Sequence, residues 1–133
     1  MPCEVISTIL PYLIVPVTNG IEQARIKATD FESILDQYEA KFVYVLDVDS
    51  FEGRTWDNEG KVEDIATGSA AGPAAAFLFK AGLVTENEPF QISQGRMVGR
   101  PSKIEVCIDA NERAIRNIRV SGNVHKVASI FFE

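Results

Sequence analysis

The stretch Glu63-Asp64-Ile65-Ala66-Thr67-Gly68-Ser69-Ala70 sets an acidic pair, two hydroxyl side chains and a glycine ahead of a run without charge. Thr67 or Ser69 is suited to cap a helix beginning here, and Gly68 lets the backbone bend so that successive N–H groups converge. The first N–H groups of a helix have no partner within it and lie at the positive end of its dipole, so they favour an anion. Thr67, Gly68, Ser69 and Ala70 are therefore the candidate substrate-binding residues, and a small amino or carboxylic acid is the ligand that suits them. A capped helix with water at its end explains the same residues equally well. Asp64 is the candidate catalytic group, placed to accept a hydrogen bond from a substrate amine or to assist a proton transfer. As an ordinary feature, Glu63 and Asp64 are solvated acids near a helix start.

Other chemistries lack their residues. No Gly-Lys-Ser/Thr follows the glycines and no dinucleotide spacing is present, which argues against nucleotide binding. His125 is the only histidine, while Cys3 and Cys107 are the only cysteines, so neither a metal centre nor a disulfide framework is expected. No cofactor is called for. Both thiols are expected to be buried and reduced, with His125 on the solvent side of a strand. The 19 acidic and 13 basic residues give a formal net charge of -6, without a basic block. Nucleic acid and anionic membrane surfaces are poor partners for such a chain. No apolar run is long enough to span a bilayer, and Met1-Pro2-Cys3-Glu4 does not begin like a secretion signal, so a cytoplasmic location is expected.

The elements that position the loop follow from pattern. A chain of 133 residues that is 46% hydrophobic can form one core, so residues 1–133 are read as a single domain. Val5 to Val17, interrupted by Pro11 and Pro16, predicts two short strands around a turn, and Ile21 to Ala28 a short helix. Asp30 suits the N-cap of a helix over Phe31–Ala40, whose apolar residues recur at helical spacing. Lys41 to Val48 predicts a strand and Arg54-Thr55-Trp56 a shorter one. From Pro89 onward period two predicts four strands, Phe90–Ser93, Lys103–Ile108, Ala114–Val120 and Val124–Phe132. They are separated at Gly95, Gly99-Arg100-Pro101, Asp109-Ala110-Asn111 and Gly122-Asn123. Between the two groups, Ser69 to Phe79 contains no charge. A helix apolar all round must be buried all round. Ala70 to Lys80 is thus expected to be a central buried helix, ended by glycine after Lys80-Ala81, in an α+β fold with a mixed, mostly antiparallel sheet curled around it.

These motifs together resemble a family. Glu63 to Ala70 is similar to the Glu-Asp-Pro-Ala-Thr-Gly-Ser-Ala signature of PhzF-like phenazine-biosynthesis isomerases, which share the diaminopimelate epimerase fold. Gln94-Gly95-Arg96-Met97-Val98-Gly99-Arg100-Pro101-Ser102 resembles their Gln-Gly-x-x-Met-Gly-Arg-Pro-Ser. Pro11 to Val17 looks like the strand opening their second half, and Val120-Ser121-Gly122 fits their closing strands. Ile65 stands where the family has proline and Val98 where methionine is common.

The resemblance implies a two-lobed protein with a cleft between two helix starts, of which this sequence matches the carboxy-terminal lobe. In the family a first-lobe glutamate shuttles a proton between substrate carbons and a histidine assists. Asp64 matches the second-lobe aspartate, and Gly68 and Ser69 match the substrate-holding loop, whereas no residue here matches the glutamate or the histidine. The expected partner is a separate amino-terminal half or, through the face that half would cover, a second copy in a homodimer. The alternatives to an isomerase half-site are a noncatalytic module binding a small acid and a structural dimerisation module.

Overall fold

A computed structural model describes residues 1–133. Its strands are β1 (Glu4–Ser7), β2 (Pro11–Val17), β3 (Phe42–Asp47), β4 (Glu52–Arg54), β5 (Phe90–Gln94), β6 (Ser102–Asn111) and β7 (Ala114–Ser121). Helix α1 (Phe31–Gln37) lies between β2 and β3, and helix α2 (Gly68–Lys80) between β4 and β5. The strands form one sheet in sequence order. β2 and β3 are parallel, as are β4 and β5, because a helix carries the chain back across each of these steps. All other neighbours are antiparallel. This is the expected α+β architecture, a mixed, mostly antiparallel sheet curled around a central helix. No helix is long and apolar enough to cross a membrane.

Alternation along the strands decides what each face covers. Tyr12 and Ile14 of β2, Tyr44 and Leu46 of β3, Ile92 of β5, and Ile104, Val106 and Ile108 of β6 turn inward onto α2. Every residue of α2 from Ala70 to Phe79 is buried, so the charge-free run is explained by enclosure. Its alanines let the strands approach: Gly72 lies so near Thr8 that a Cβ there would come within 2.7 Å of the Thr8 hydroxyl oxygen. The helix ends as its composition implies. Gly82, at φ 74°, lies just beyond it, and Leu83 and Gly82 donate to the carbonyls of Leu78 and Phe79. On the outer face, Val43 and Val45 pack with Ile21 and Trp56. Covered on both sides, β3 is apolar without alternation.

Several expectations are corrected. Residues 123–133 form no strand, and Val124, Val127, Phe131 and Phe132 are each at least 90% exposed. The apolar pattern there pairs with no strand of the sheet, and His125 is exposed on irregular chain. The turn expected at Asp109–Asn111 falls later. β6 runs through Asn111, and Glu112 and Arg113, both at positive φ, make a two-residue hairpin turn. Ile21–Ala28 gives only a 3-10 turn at Ile21–Gln23, because the Ile21, Glu22 and Ala24 carbonyls accept from the Arg54 guanidinium. The short strand is Glu52–Arg54, and Trp56 only bridges to Glu63. Helix α1 stops at Gln37, and Asp30 makes no side-chain cap. Cys107 is buried, but Cys3, ahead of the first strand, is exposed.

Candidate functional site

Thr67 occupies the N-cap position of α2, but its side chain does not cap. Its carbonyl accepts from the N–H groups of Ala70 and Ala71. Its hydroxyl donates to Asp64 Oδ2 at 2.6 Å and accepts from Gln94 Nε2 at 2.8 Å. Asp64 Oδ1 takes the N–H of Ile65 at 2.9 Å. Both carboxylate oxygens of Asp64 are thus bonded within the loop, and the residue remains exposed. Glu63 is no solvated acid. It forms a bidentate pair with Arg54 at 2.7 and 2.8 Å, with both side chains under 10% exposed, and the guanidinium also lies 4.8 Å from the Trp56 ring centroid.

The second motif supports the first through Gln94, a residue that sequence reasoning quoted but gave no role. Its side chain is 1% exposed. Its Oε1 accepts from the Thr67 N–H and from the Tyr44 hydroxyl, both at 3.2 Å. Its Nε2 donates to the Asp64 carbonyl at 3.0 Å as well as to Thr67. Burial pushes the Tyr44 phenol well above its ordinary pKa, with the neighbouring Tyr12 and Asp64 adding to the effect. Tyr44 therefore stays neutral and keeps its proton for Gln94. Gly95, at φ 89°, follows at once. A Cβ there would stand 2.7 Å from the Ile65 carbonyl oxygen and 2.3 Å from that of Arg100, so only glycine lets the two motifs touch. Ser102 completes the clasp by donating to the Ile65 or Gln94 carbonyl. The signal that could have singled out Gln94 is a glutamine two residues after the inward Ile92 on β5 and directly before Gly95.

Gly68 and Ser69 begin α2, and neither N–H makes a backbone bond. Pro73, with no N–H, leaves the Ser69 carbonyl without its usual helical donor. The Ser69 hydroxyl is 2.8 Å from the Tyr12 hydroxyl. A Cβ on Gly68 would meet nothing within 4 Å. Both residues open onto a groove of about 630 Å³, bounded by Thr8 and Ile9 near one sheet edge and by β7 at the other. Asp64 and Thr67 line a different hollow, of about 330 Å³, with Tyr12, Trp56 and Glu63. The structure therefore sets the sequence-nominated residues on two sides of the Tyr12–Ser69 contact. Ala70 lines neither space: its side chain is in the core and its N–H is taken by Thr67. Arg100 is exposed, and its own N–H closes the turn onto Gly95. No group of three or more His, Cys, Asp or Glu side chains could hold a metal ion.

The profile of the PhzC-PhzF family, phenazine biosynthesis-like proteins, matches residues 1–129. The trans-2,3-dihydro-3-hydroxyanthranilate isomerases of Pseudomonas fluorescens and Pseudomonas chlororaphis are 39% and 38% identical in an alignment of 77 residues that covers 53% of this chain and 28% of each isomerase. A predicted epimerase of Pseudomonas aeruginosa superposes with a TM-score of 0.78 at 44% identity, over 96% of this chain and 46% of its own. A phenazine biosynthesis protein of the PhzF family from Bacillus anthracis shares the fold, with a TM-score of 0.70 at 17% identity, over 92% of this chain and 49% of its own. The chain spans less than half the length of either solved structure.

Proposed function

This chain belongs to the phenazine biosynthesis-like family of isomerases, and we propose that it forms the half of a proton-shuttling isomerase site that holds the substrate's carboxylate. The observation that carries this reading is the pair of free N–H groups on Gly68 and Ser69 at the start of a helix buried from Ala70 to Phe79, open to a groove. Such groups stabilise an anion without rearrangement, since α2 cannot shift inside its shell of strands. The clasp of Gln94, Gly95 and Ser102 fixes the loop from behind. Asp64 is the candidate for steering the substrate's amine or hydroxyl.

Moving a proton between two carbons needs a base within hydrogen-bond reach of both. In this reading that base is the family's glutamate, on a lobe facing α2, from the same or another polypeptide. Alone, the chain binds a small carboxylate but does not isomerise it, and it associates as a homodimer through surface that the second lobe would cover. One observation favours the noncatalytic binding module instead, namely that both Asp64 oxygens already serve the loop.

Two measurements test the proposal. Titrating the ¹⁵N-labelled chain with benzoate should shift the amide resonances of Gly68 and Ser69 before all others. Adding a first-lobe chain that bears the glutamate should produce turnover on a dihydro-hydroxyanthranilate, and Asp64→Asn should reduce it about a hundredfold. Turnover by the chain alone would overturn the half-site, and binding without reconstituted turnover would select the noncatalytic module.

A further inference from the structure

The groove beside Gly68 and Ser69 contains one side chain that the fold does not need there. On β7, Ile118 and Val120 pair with Ile108 and Val106, whose side chains belong to the core around α2. Arg119 faces the other way, bonded to Asp109 and Cys107. Two residues before Ile118, alternation places Arg116 on the inner side, where an apolar residue is expected. Arg116 also has no partner across the ladder. Asp109 pairs with Asn117 and Ala110 with Ile115, so Arg116 is the extra residue of a β-bulge. A bulge of this kind redirects a side chain and ends regular pairing locally.

Its charge is equally unaccounted for. Arg54, Arg96 and Arg119 each hold a carboxylate, on Glu63, Glu52 and Asp109, and Arg113 lies over the Phe79 ring. Arg116 has no ion pair and no side-chain hydrogen bond, yet it lines the groove with Gly68, Ser69 and Asn117. The rest of the wall is mostly apolar, with Ile9, Ile115, Ile118 and Val120. A groove of about 630 Å³ has room for far more than one carboxylate.

We propose that Arg116 is the specificity-determining residue of this groove and that the substrate is a small acid with a second anionic group. On the reading given above, the first carboxylate takes the N–H groups of Gly68 and Ser69, and the apolar wall receives the carbon skeleton. The second anion meets the guanidinium, whose fork suits a carboxylate with two parallel hydrogen bonds. An exposed Arg116 carries no packing role, so its replacement leaves the fold intact.

The test compares two ligands of one skeleton, benzoate and isophthalate, by calorimetry and by the Gly68 and Ser69 amide shifts. The intact chain should bind isophthalate about tenfold more tightly than benzoate, a preference that weakens with salt. Arg116→Gln should abolish the preference while benzoate affinity is retained, and Arg116→Lys should restore part of it. Equal affinity for the two acids, or a preference that survives Arg116→Gln, overturns the assignment of Arg116 while the carboxylate site at α2 stands. Failure of both acids to shift Gly68 and Ser69 overturns that site as well.

Discussion

Gln94 and Thr67 lie in different motifs, yet the amide of one grips both the N–H and the hydroxyl of the other, at 3.2 and 2.8 Å. This joins the end of β5 to the start of α2. Removing a buried partner leaves several polar groups unpaired, and each costs about 1–3 kcal/mol. Gln94→Ala should therefore lower unfolding free energy by about 3 kcal/mol, read as a lower urea midpoint. It should also weaken carboxylate binding at Gly68, although Gln94 does not line that groove.

Two glycines should respond in opposite ways. A Cβ on Gly53 would lie 1.9 Å from the Tyr44 hydroxyl oxygen, and Tyr44 is fixed in the core. Gly53→Ala should cost about 3 kcal/mol or more through overpacking. At Gly68 the same substitution meets open space, so Gly68→Ala should match or slightly exceed the parent in stability. Its methyl group would stand at the mouth of the groove and should weaken benzoate binding severalfold. Melting curves and calorimetry on both variants separate the effects.

Much of the positioning frame is legible in sequence because it is local. The run from Ser69 to Phe79 identifies a buried helix, since no charge-free helix keeps a face in water. What is not legible depends on distant partners. Val124–Phe132 has strand composition, but β propensity measures fit to a neighbouring strand, and residues 124–132 pair with none. Ile21 to Ala28 could form a helix by itself, yet its carbonyls are claimed by Arg54, which is about 30 residues away. Gln94 has no role legible in the sequence, because a buried amide's partners are invisible until β5 and α2 are brought together.

Alkaline pH should unfold the protein through Tyr44. Its folded pKa is raised by burial, while the unfolded phenol titrates near 10. Above about pH 10 the unfolded state therefore binds fewer protons than the folded one. This contribution to stability is complete below that pH and declines as pH rises beyond it. Tyr44→Phe should flatten the decline in chemical denaturation between about pH 9 and 11, and Tyr38→Phe, at an exposed site, should not.

The Arg54–Glu63 pair should be a major support of the loop. Arg54 also donates to three backbone carbonyls, so Arg54→Met leaves a buried carboxylate and those carbonyls without a donor. A loss of about 3–5 kcal/mol is expected, visible as a fall in melting temperature. The Trp56 fluorescence maximum should shift as the guanidinium leaves its ring.

The bare segment after β7 has a consequence for the protein's life in a cell. Val124, Val127, Ile130, Phe131 and Phe132 together make an extended apolar stretch facing water, and such stretches are what chaperones and degradative proteases bind. A partner that covers residues 124–132 would hide that signal. The amount of this chain at steady state would then follow the supply of its partner, so that surplus copies are removed and matched ones persist.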